Sequence, residues 1–377
     1  MSQTDIERRS IDTIRTLAMD AVQQANAGHP GTAMALAPIA YLLYTEAMRH
    51  NPENPKWPNR DRFVLSAGHA CVLQYTALHL SGYALPLDEL KRFRQWGSIT
   101  PGHPENHLTP GVETTTGPLG QGFANGVGFA LAERYLAQRY NRPHHQIVDH
   151  RVYAICSDGD LMEGVAHEAA SLAGHLRLGR LTAVYDDNHI TIEGDTSLAF
   201  TEDVGKRYES YGFFVQHVDG HDRAAVSKAL DAAKAEKGRP SFIVARTHIA
   251  NGAPNAHDTS EAHGAPLGAE EIALVKKGMG FDPDKTFFVP EEVTALFRGR
   301  LAELAEERAA WEKTYAAWRA SNPEKAAALD ALEARAVPAD VYEKLLAALP
   351  TKDDATRGLS NTIQQKVAEL VPSLVGG

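Results

Sequence analysis

The motifs SDGDLMEG (Ser157–Gly164) and YDDNHITI (Tyr185–Ile192) decide the fold of this chain. The first motif follows the apolar run RVYAIC (Arg151–Cys156), and the second begins at the last residue of the apolar run LTAVY (Leu181–Tyr185). Both runs are typical of buried parallel strands. Between them, EGVAHEAASLAGHL repeats its apolar and small residues at helical spacing. The pattern predicts a strand–helix–strand unit with polar residues at the carboxyl ends of both strands, where open α/β sheets bind ligands.

Oxygen donors follow both predicted strands. Asp158 offers a carboxylate, Asn188 an amide oxygen, and a nearby backbone carbonyl such as that of Ile190 a third oxygen. Such a set suits Mg²⁺ or Ca²⁺ that also coordinates a phosphorylated ligand. Gly159 permits close backbone approach, and the amides that open the helix favour an anion. An Asp-Gly pair after a strand is usually only a turn, but a second polar motif after the next strand makes the pattern more specific.

Composition narrows the class of protein. The 377 residues suggest two or three domains, and the net charge of −10 argues against a nucleic-acid partner. Cys71 and Cys156 lie in apolar contexts, so buried thiols in a reducing compartment are expected rather than a disulfide. We find no apolar signal core and no run long enough to span a membrane, so no membrane partner and a cytoplasmic location are expected.

The rest of the chain alternates predicted strands and helices. Further strands are expected at FVLS, FFVQHV and SFIVART, and helices over residues 33–48, 87–97, 123–140 and 222–236. This alternation predicts an α/β fold with a doubly wound, mostly parallel sheet and helices on both faces. The composition shifts near residue 290 to Ala, Glu, Leu and Arg, which predicts helices over residues 291–348, followed by a fresh amphipathic helix after residue 356.

Four histidines lie in loops bounded by glycine or proline. They are His29 in GHPG, His69 in SAGHA, His103 in TPGHPE and His263 in AHGAPLG. A single loop histidine is usually a surface or structural residue, but four beside a phosphate–metal motif favour binding and proton transfer. Their spacing fits no compact zinc pattern and no cysteines accompany them. TTGPLGQG (Thr115–Gly122) is either a simple turn or a loop whose backbone approaches a planar ring closely.

Taken in order, GHPG, LSAGHA, TPGHPE, TTGPLGQG, SDGDLMEG, YDDN and HGAPLG resemble the N-terminal half of the transketolase family. The resemblance covers about residues 5–377. It implies transfer of a two-carbon ketol unit from a ketose phosphate of the xylulose 5-phosphate type to an aldose phosphate, through a thiamine diphosphate carbanion. It also implies a thiamine diphosphate binding domain over residues 1–320, a helical linker over 321–352 and the beginning of a truncated pyrimidine-binding domain over 353–377.

The resemblance also implies roles for particular residues. Asp158, Asn188 and the Ile190 carbonyl would hold the metal. The remaining cofactor contacts would be Gly159, His69 and His263 at the diphosphate, Gly117 and Leu119 at the rings, and Ile192 at the thiazolium. Donor-sugar contacts and proton transfers would fall to His29, His103 and His263, with Arg357 on the sugar phosphate. Glu163 and Glu168 would form a proton relay at the interface of a homodimer, although a solvated helix face would also explain them.

Two departures from the family pattern qualify these expectations. Ser157 stands where the family usually has glycine, which is tolerable if the backbone keeps a negative φ. The family also continues into pyrimidine-binding and C-terminal domains, which supply the glutamate that activates the cofactor. We therefore expect this chain to need those domains, in the same protein or in a second chain, for activity. The alternatives are a ketol transferase similar to dihydroxyacetone synthase and a non-catalytic cofactor-binding fragment.

Overall fold

A parallel sheet organises residues 2–374, the part of the chain that the computed structural model describes. The strands in this part are β1 Arg62–Leu65, β2 Val152–Ser157, β3 Leu181–Asp187, β4 Ile190–Thr191, β5 Gly194–Asp195, β6 Phe214–Asp219 and β7 Ser241–Arg246. The main sheet has the order β1-β2-β3-β7-β6, and all its neighbouring strands are parallel. β4 and β5 form a short antiparallel hairpin. The predicted α/β class and its parallel sheet are confirmed.

Helices occupy most of the remaining described chain. The α-helices are α1 Gln3–Ala25, α2 Pro30–Ala35, α3 Ala37–Leu42, α4 Cys71–Leu80, α5 Leu87–Lys91, α6 Gln121–Tyr140, α7 Asp158–Met162, α8 Gly164–His175, α9 Val204–Ser210, α10 Arg223–Ala235, α11 Glu261–Gly264, α12 Ala269–Gly278, α13 Glu291–Ser321, α14 Pro323–Glu333, α15 Val341–Ala348 and α16 Thr356–Leu370. A π-helical turn covers Leu43–Ala47, and 3-10 turns cover Gly68–Ala70 and Thr196–Leu198. Within residues 2–374, no helix combines the length and apolarity needed to cross a membrane.

Apolar cores cover both faces of the sheet. Side chains alternate between the two faces of a strand, and β2 shows this directly. Tyr153 and Ile155 enter one core with residues of α1, α3, α4 and α10. Ala154 and Cys156 enter the other core with residues of α6 and α8. The sheet therefore has helices on both faces, as the sequence predicts.

The chain divides into two compact units. The first comprises Met1–Arg139 and Val148–Ala309, and the second Tyr140–Ile147 and Ala310–Gly377. In the second unit, the Trp318 indole, which is fully buried, donates a 2.8 Å hydrogen bond to the Tyr140 carbonyl oxygen. The boundaries expected near residues 320 and 352 stay predictions.

Several local expectations need correction. The helix expected over residues 33–48 is broken into α2, α3 and the π-helical turn, since Pro38 has no N–H to donate within a helix. The helix expected over residues 87–97 ends at Lys91, and Arg94 has a left-handed φ of 61°. The β4–β5 hairpin, which separates Asn188 from the next helix, was not predicted. Both cysteines are free and buried, as expected.

Gly174 should be a site where a methyl group is not tolerated. A Cβ atom there would lie 1.7 Å from the Tyr211 carbonyl oxygen, so the backbone would have to shift. We expect Gly174→Ala to lower the free energy of unfolding by about 1–3 kcal/mol, as in other overpacked sites. Gly128→Ala is the matched control, because Gly128 lies inside α6 and a Cβ there would meet nothing within 4 Å.

The control should raise the free energy of unfolding by up to about 1 kcal/mol, since alanine loses less conformational entropy in a helix. Denaturant titration of both variants and the unsubstituted chain gives the comparison. Equal effects of the two substitutions would contradict the close approach of α8 to Tyr211.

Candidate functional site

A cavity of about 520 Å³ lies at the carboxyl ends of β2 and β3. Its volume is within the usual range for small-molecule and cofactor sites. The lining residues are His29, Thr32, His69, His103, Gly117, Leu119, Ser157, Asp158, Gly159, Met162, Asn188, Ile190, Thr191, Ile192, Glu193 and His263. The sheet thus brings together loops that are far apart in the sequence, including the four loop histidines and both polar motifs.

Asp158 is a buried carboxylate with one oxygen unused. It opens α7 directly after β2 and is 2% exposed. Its Oδ1 accepts a hydrogen bond from the Tyr185 hydroxyl, whereas Oδ2 is buried and has no hydrogen-bond partner. Burial raises the pKa of the Asp158 carboxyl to about 7, with the Tyr185 hydrogen bond opposing the rise and the Asp186 charge adding to it. An oxygen in this state is suited to meet a cation.

A second buried acid, Asp186, holds Asn188 in place. Asn188 is 4% exposed, and its side-chain N–H donates to Asp186 Oδ2 over 2.8 Å. The Asn188 amide oxygen accepts from the Ile190 backbone N–H over 2.9 Å. Because the amide nitrogen is held by an acid, the amide oxygen is directed to the turn at Ile190, and Asn188 lines the cavity. Burial raises the pKa of the Asp186 carboxyl to about 7, opposed by its hydrogen bonds from Thr247 and Asn188.

Asp160 joins the glycine loop to α7. Its Oδ1 accepts from the Gly120 backbone N–H over 2.8 Å, and its Oδ2 accepts from the Ser157 N–H over 3.2 Å. Gly120 has a φ of +77°, which favours glycine, and a Cβ there would lie 2.7 Å from the Glu163 Cβ. Two further hydrogen bonds fix the same loop, from the Thr116 hydroxyl to the Leu65 carbonyl and from the Phe123 N–H to Ser66 Oγ, each 2.8 Å long.

Two glycines of the cavity, Gly117 and Gly159, lie close to neighbouring side chains. Ser157 keeps a φ of −127°, so serine is accommodated in place of glycine. At Gly159, a Cβ would lie 3.1 Å from a Leu119 methyl group. At Gly117, which has a φ of +149°, it would lie 3.2 Å from the His103 ring. A side chain at either glycine would therefore crowd neighbours that line the cavity.

Three of the four loop histidines form a tight cluster. The ring centroids of His29, His69 and His263 are 5.0–5.6 Å apart. Burial and the neighbouring imidazoles lower the pKa of His69 to about 3 and that of His29 to about 4. Burial also lowers the pKa of His263, as it does for His103. The rings are thus neutral near pH 7, and His69 Nε2 and His263 Nδ1 are buried without hydrogen-bond partners.

Three predicted site residues do not line the cavity. Glu163 and Glu168 are exposed on the segment that begins α8, near the exposed apolar side chains of Val165 and Leu172. Arg357 is exposed in the first turn of α16, within the second unit. Their roles stay predictions.

Sequence reasoning missed the residues that support the predicted ones. Tyr185, Asp186 and Asp160 lie within the two polar motifs, but the sequence alone assigns them no role. Their contacts depend on the pairing of Ser157 with Asp186 in neighbouring strands and on a loop forty residues away. The signal that the sequence offers for these supporting residues is a polar side chain in an otherwise apolar strand. Arg94 was also missed, and its Nη2 lies 3.5 Å from His29 Nδ1.

Comparison with known proteins identifies the family. The family described as "Transketolase, thiamine diphosphate binding domain" matches residues 6–338. The chain is 51% identical over 378 residues to the transketolase of Geobacillus stearothermophilus and 48% identical over 379 residues to the chloroplastic transketolase of Zea mays. Each alignment includes 99% of this chain and 56% of the relative. The chain therefore spans about half the length of these relatives.

Solved structures agree with the sequence comparison. The transketolase of Leishmania mexicana matches with a TM-score of 0.93 and 47% identity, over 100% of this chain and 56% of the other. A Pichia stipitis transketolase, solved in complex with sedoheptulose 7-phosphate, matches with a TM-score of 0.92 and 46% identity, over 98% and 55% of the two chains. The fold, the cavity and these matches lead to one conclusion: the chain belongs to the transketolase family and contains its thiamine diphosphate binding domain.

Proposed function

We propose that this chain forms the diphosphate- and metal-binding half of a transketolase active site. The complete enzyme, a cytoplasmic homodimer, would transfer a two-carbon ketol unit from a ketose phosphate to an aldose phosphate. The observation that carries the proposal is the buried, partnerless Oδ2 of Asp158 in a cavity lined by neutral histidines. Such an oxygen is costly unless a cation or a proton meets it.

The donor set fits a hard divalent cation. Asp158 contributes the carboxylate, Asn188 the amide oxygen and Ile190 a backbone carbonyl, and all three residues line the cavity. Three oxygen ligands leave positions for the oxygens of a diphosphate, which is how Mg²⁺ is commonly bound in proteins. We therefore assign Mg²⁺ as the metal, with Ca²⁺ as a chemically similar substitute.

The neutral histidines fit the anionic part of the cofactor and the sugar. His69 and His263 each have a buried ring nitrogen without a partner, and such a nitrogen can bond a diphosphate oxygen. His29 and His103 line the same cavity and would bond the hydroxyl oxygens of the donor sugar. A neutral imidazole offers one donor and one acceptor, so it can hold a hydroxyl and move its proton. Gly117, Leu119, Gly159 and Ile192 would border the cofactor rings and diphosphate.

Thiamine diphosphate would supply the carbanion chemistry, which no side chain provides. Because the chain spans about half the length of its relatives, we propose that pyrimidine-binding and C-terminal domains complete the site. Arg357 would then grip the sugar phosphate with its planar guanidinium, and Glu163 and Glu168 would connect the two sites of the dimer. The Pichia stipitis complex with sedoheptulose 7-phosphate supports a sugar phosphate as substrate.

Activity should depend on the assembled site. We expect the chain together with its pyrimidine-binding and C-terminal domains to convert xylulose 5-phosphate and ribose 5-phosphate when thiamine diphosphate and Mg²⁺ are present. The 377-residue chain alone should give no turnover. A coupled assay of both preparations, with intact mass confirming their content, tests this. Robust turnover by the chain alone would overturn the division of the site.

Asp158→Asn should weaken metal-dependent cofactor binding. The substitution keeps the shape but removes the charge that faces the cation. We expect the dissociation constant of thiamine diphosphate in Mg²⁺ to rise about tenfold to a hundredfold, as for the loss of a charged hydrogen bond. Calorimetry on the assembled enzyme measures it. Asp219→Asn is the control, because Asp219 ends β6 in the same sheet but does not line the cavity. An equal change in both variants would place the metal elsewhere.

Substitution of His103 and substitution of His263 should affect different steps of cofactor and donor binding. His263 stacks on His69 at 5.2 Å, beside the proposed diphosphate position, whereas His103 lies against Gly117. We expect His263→Ala to weaken both cofactor binding and donor use, and His103→Ala to lower kcat/KM for the donor with little change in cofactor affinity. Each affected constant should change about tenfold to a hundredfold. Cofactor loss by His103→Ala as severe as that by His263→Ala would refute the assigned roles.

A further inference from the structure

A second group of metal-ligating side chains lies outside the cavity. His248, His257 and Asp258 follow β7, and one ligand atom from each lies within 4.8 Å of the others. His248 Nδ1 is 2.7 Å from Asp258 Oδ2, and His257 Nε2 is 3.4 Å from the same oxygen. The three side chains are each about two-fifths exposed, so ions from solution can reach them.

The backbone presents these three side chains together before any ligand binds. The Asp258 N–H donates to the Ile249 carbonyl over 3.1 Å, which closes the loop between His248 and Asp258. Asp258 has a left-handed φ of 55°, a conformation that Asp and Asn tolerate better than most residues. Ile249 is fully buried, so one end of the loop is anchored in the first unit. The convergence of the ligand atoms is thus a property of the fold.

A stack of three imidazole rings fixes the orientation of the His248 ring. His221 stacks on His248 with ring centroids 5.7 Å apart, and His248 stacks on His257 at 5.2 Å. His221 Nε2 accepts the His248 backbone N–H over 2.9 Å, so His221 orients His248, and its Nδ1 is buried without a hydrogen-bond partner. Arg15 is a cation near this stack, but its charge is paired with Asp12 at 2.9 Å, and it also donates to Asn251.

We propose that His248, His257 and Asp258 form a second metal site, specific for a borderline divalent cation such as Zn²⁺. Two imidazole nitrogens and one carboxylate oxygen are a common zinc donor set, and a water can complete the tetrahedron. Mg²⁺ and Ca²⁺ prefer all-oxygen ligands, so this group differs in preference from the Asp158 site. The cation would take the place of the hydrogen bond between His248 Nδ1 and Asp258 Oδ2.

A bound ion would brace the segment that leads to His263. Asp258 precedes His263 by five residues, and His263 lies in the short helix α11 and lines the cavity. None of the three ligands is among the residues that line the cavity, so the role of the ion would be to position this loop. The proposed function uses none of these three residues, so the zinc site and the proposed function are tested independently.

Zinc binding to single-site variants tests the proposal. The probe is Zn²⁺ alone, competed against a chromophoric chelator in excess Mg²⁺ and without thiamine diphosphate, on the metal-stripped chain. We expect His257→Gln and Asp258→Asn each to weaken Zn²⁺ binding at least about tenfold to a hundredfold, since even outer-shell changes cost this much at metal sites. Asn tolerates the left-handed backbone at position 258, so that variant should fold.

Two controls define the site. His107→Gln removes an exposed histidine that is paired with Glu105 at 3.6 Å and belongs to no metal-ligating group among residues 2–374, so it should leave zinc affinity unchanged. Asp158→Asn should also leave it unchanged, because it alters only the proposed magnesium site. The proposal is overturned if no tight zinc binding is found, if His257→Gln and Asp258→Asn bind as the unsubstituted chain does, or if Asp158→Asn abolishes binding. Metal-free melting temperatures of the variants confirm that they fold.

Discussion

Burial of like charges next to each other is the constraint on which the site depends. Asp158 directly follows β2, and Asp186 lies near the end of the adjacent strand β3. Both are at most 2% exposed, and neither forms an ion pair among the described residues. Burial raises the pKa of each carboxyl to about 7, so their charged forms are disfavoured near neutral pH. A divalent cation would remove this penalty and gain the carboxylate as a ligand. Local stability and cation binding are therefore linked at the centre of the sheet.

The parallel sheet makes this arrangement possible, because its strands all end at the same edge. Residues from the loops after β1, β2, β3 and β7 meet there, although up to about two hundred positions separate them in the chain. Cores on both faces hold the strands rigidly, so loops can carry histidines and glycines without unfolding the support. Burial among other imidazoles then keeps the His29, His69 and His263 rings neutral. The protonation state of each histidine depends on its immediate neighbours, but the positions of the site residues depend on the whole sheet.

The features of the fold and site that can be predicted are those that depend on short stretches of the sequence. The strands before Asp158 and Asn188 were predicted because apolar runs ended at polar motifs. Eleven of the predicted site residues line the cavity, and the four histidines among them are recognisable in the sequence because they lie in loops bounded by glycine or proline. Asp160, Tyr185 and Asp186 were missed, since their partners depend on strand register and loop contacts that no spacing reveals. The break near Pro38 was visible in the sequence but its π-helical continuation was not. The His248 group was not predicted, because His248 lies ten positions before Asp258 and meets it through the turn that the Asp258–Ile249 hydrogen bond closes.

The Asp160 carboxylate has a consequence for the entropy of ligand binding. By accepting the Gly120 and Ser157 N–H groups it joins the glycine loop to α7, while Thr116 and Phe123 fasten that loop to β1 and the residue after it. A loop held by hydrogen bonds at several points has little freedom left to lose when a ring settles against it. More of the contact energy is then retained as affinity, and Asp160 contributes to binding without touching the ligand.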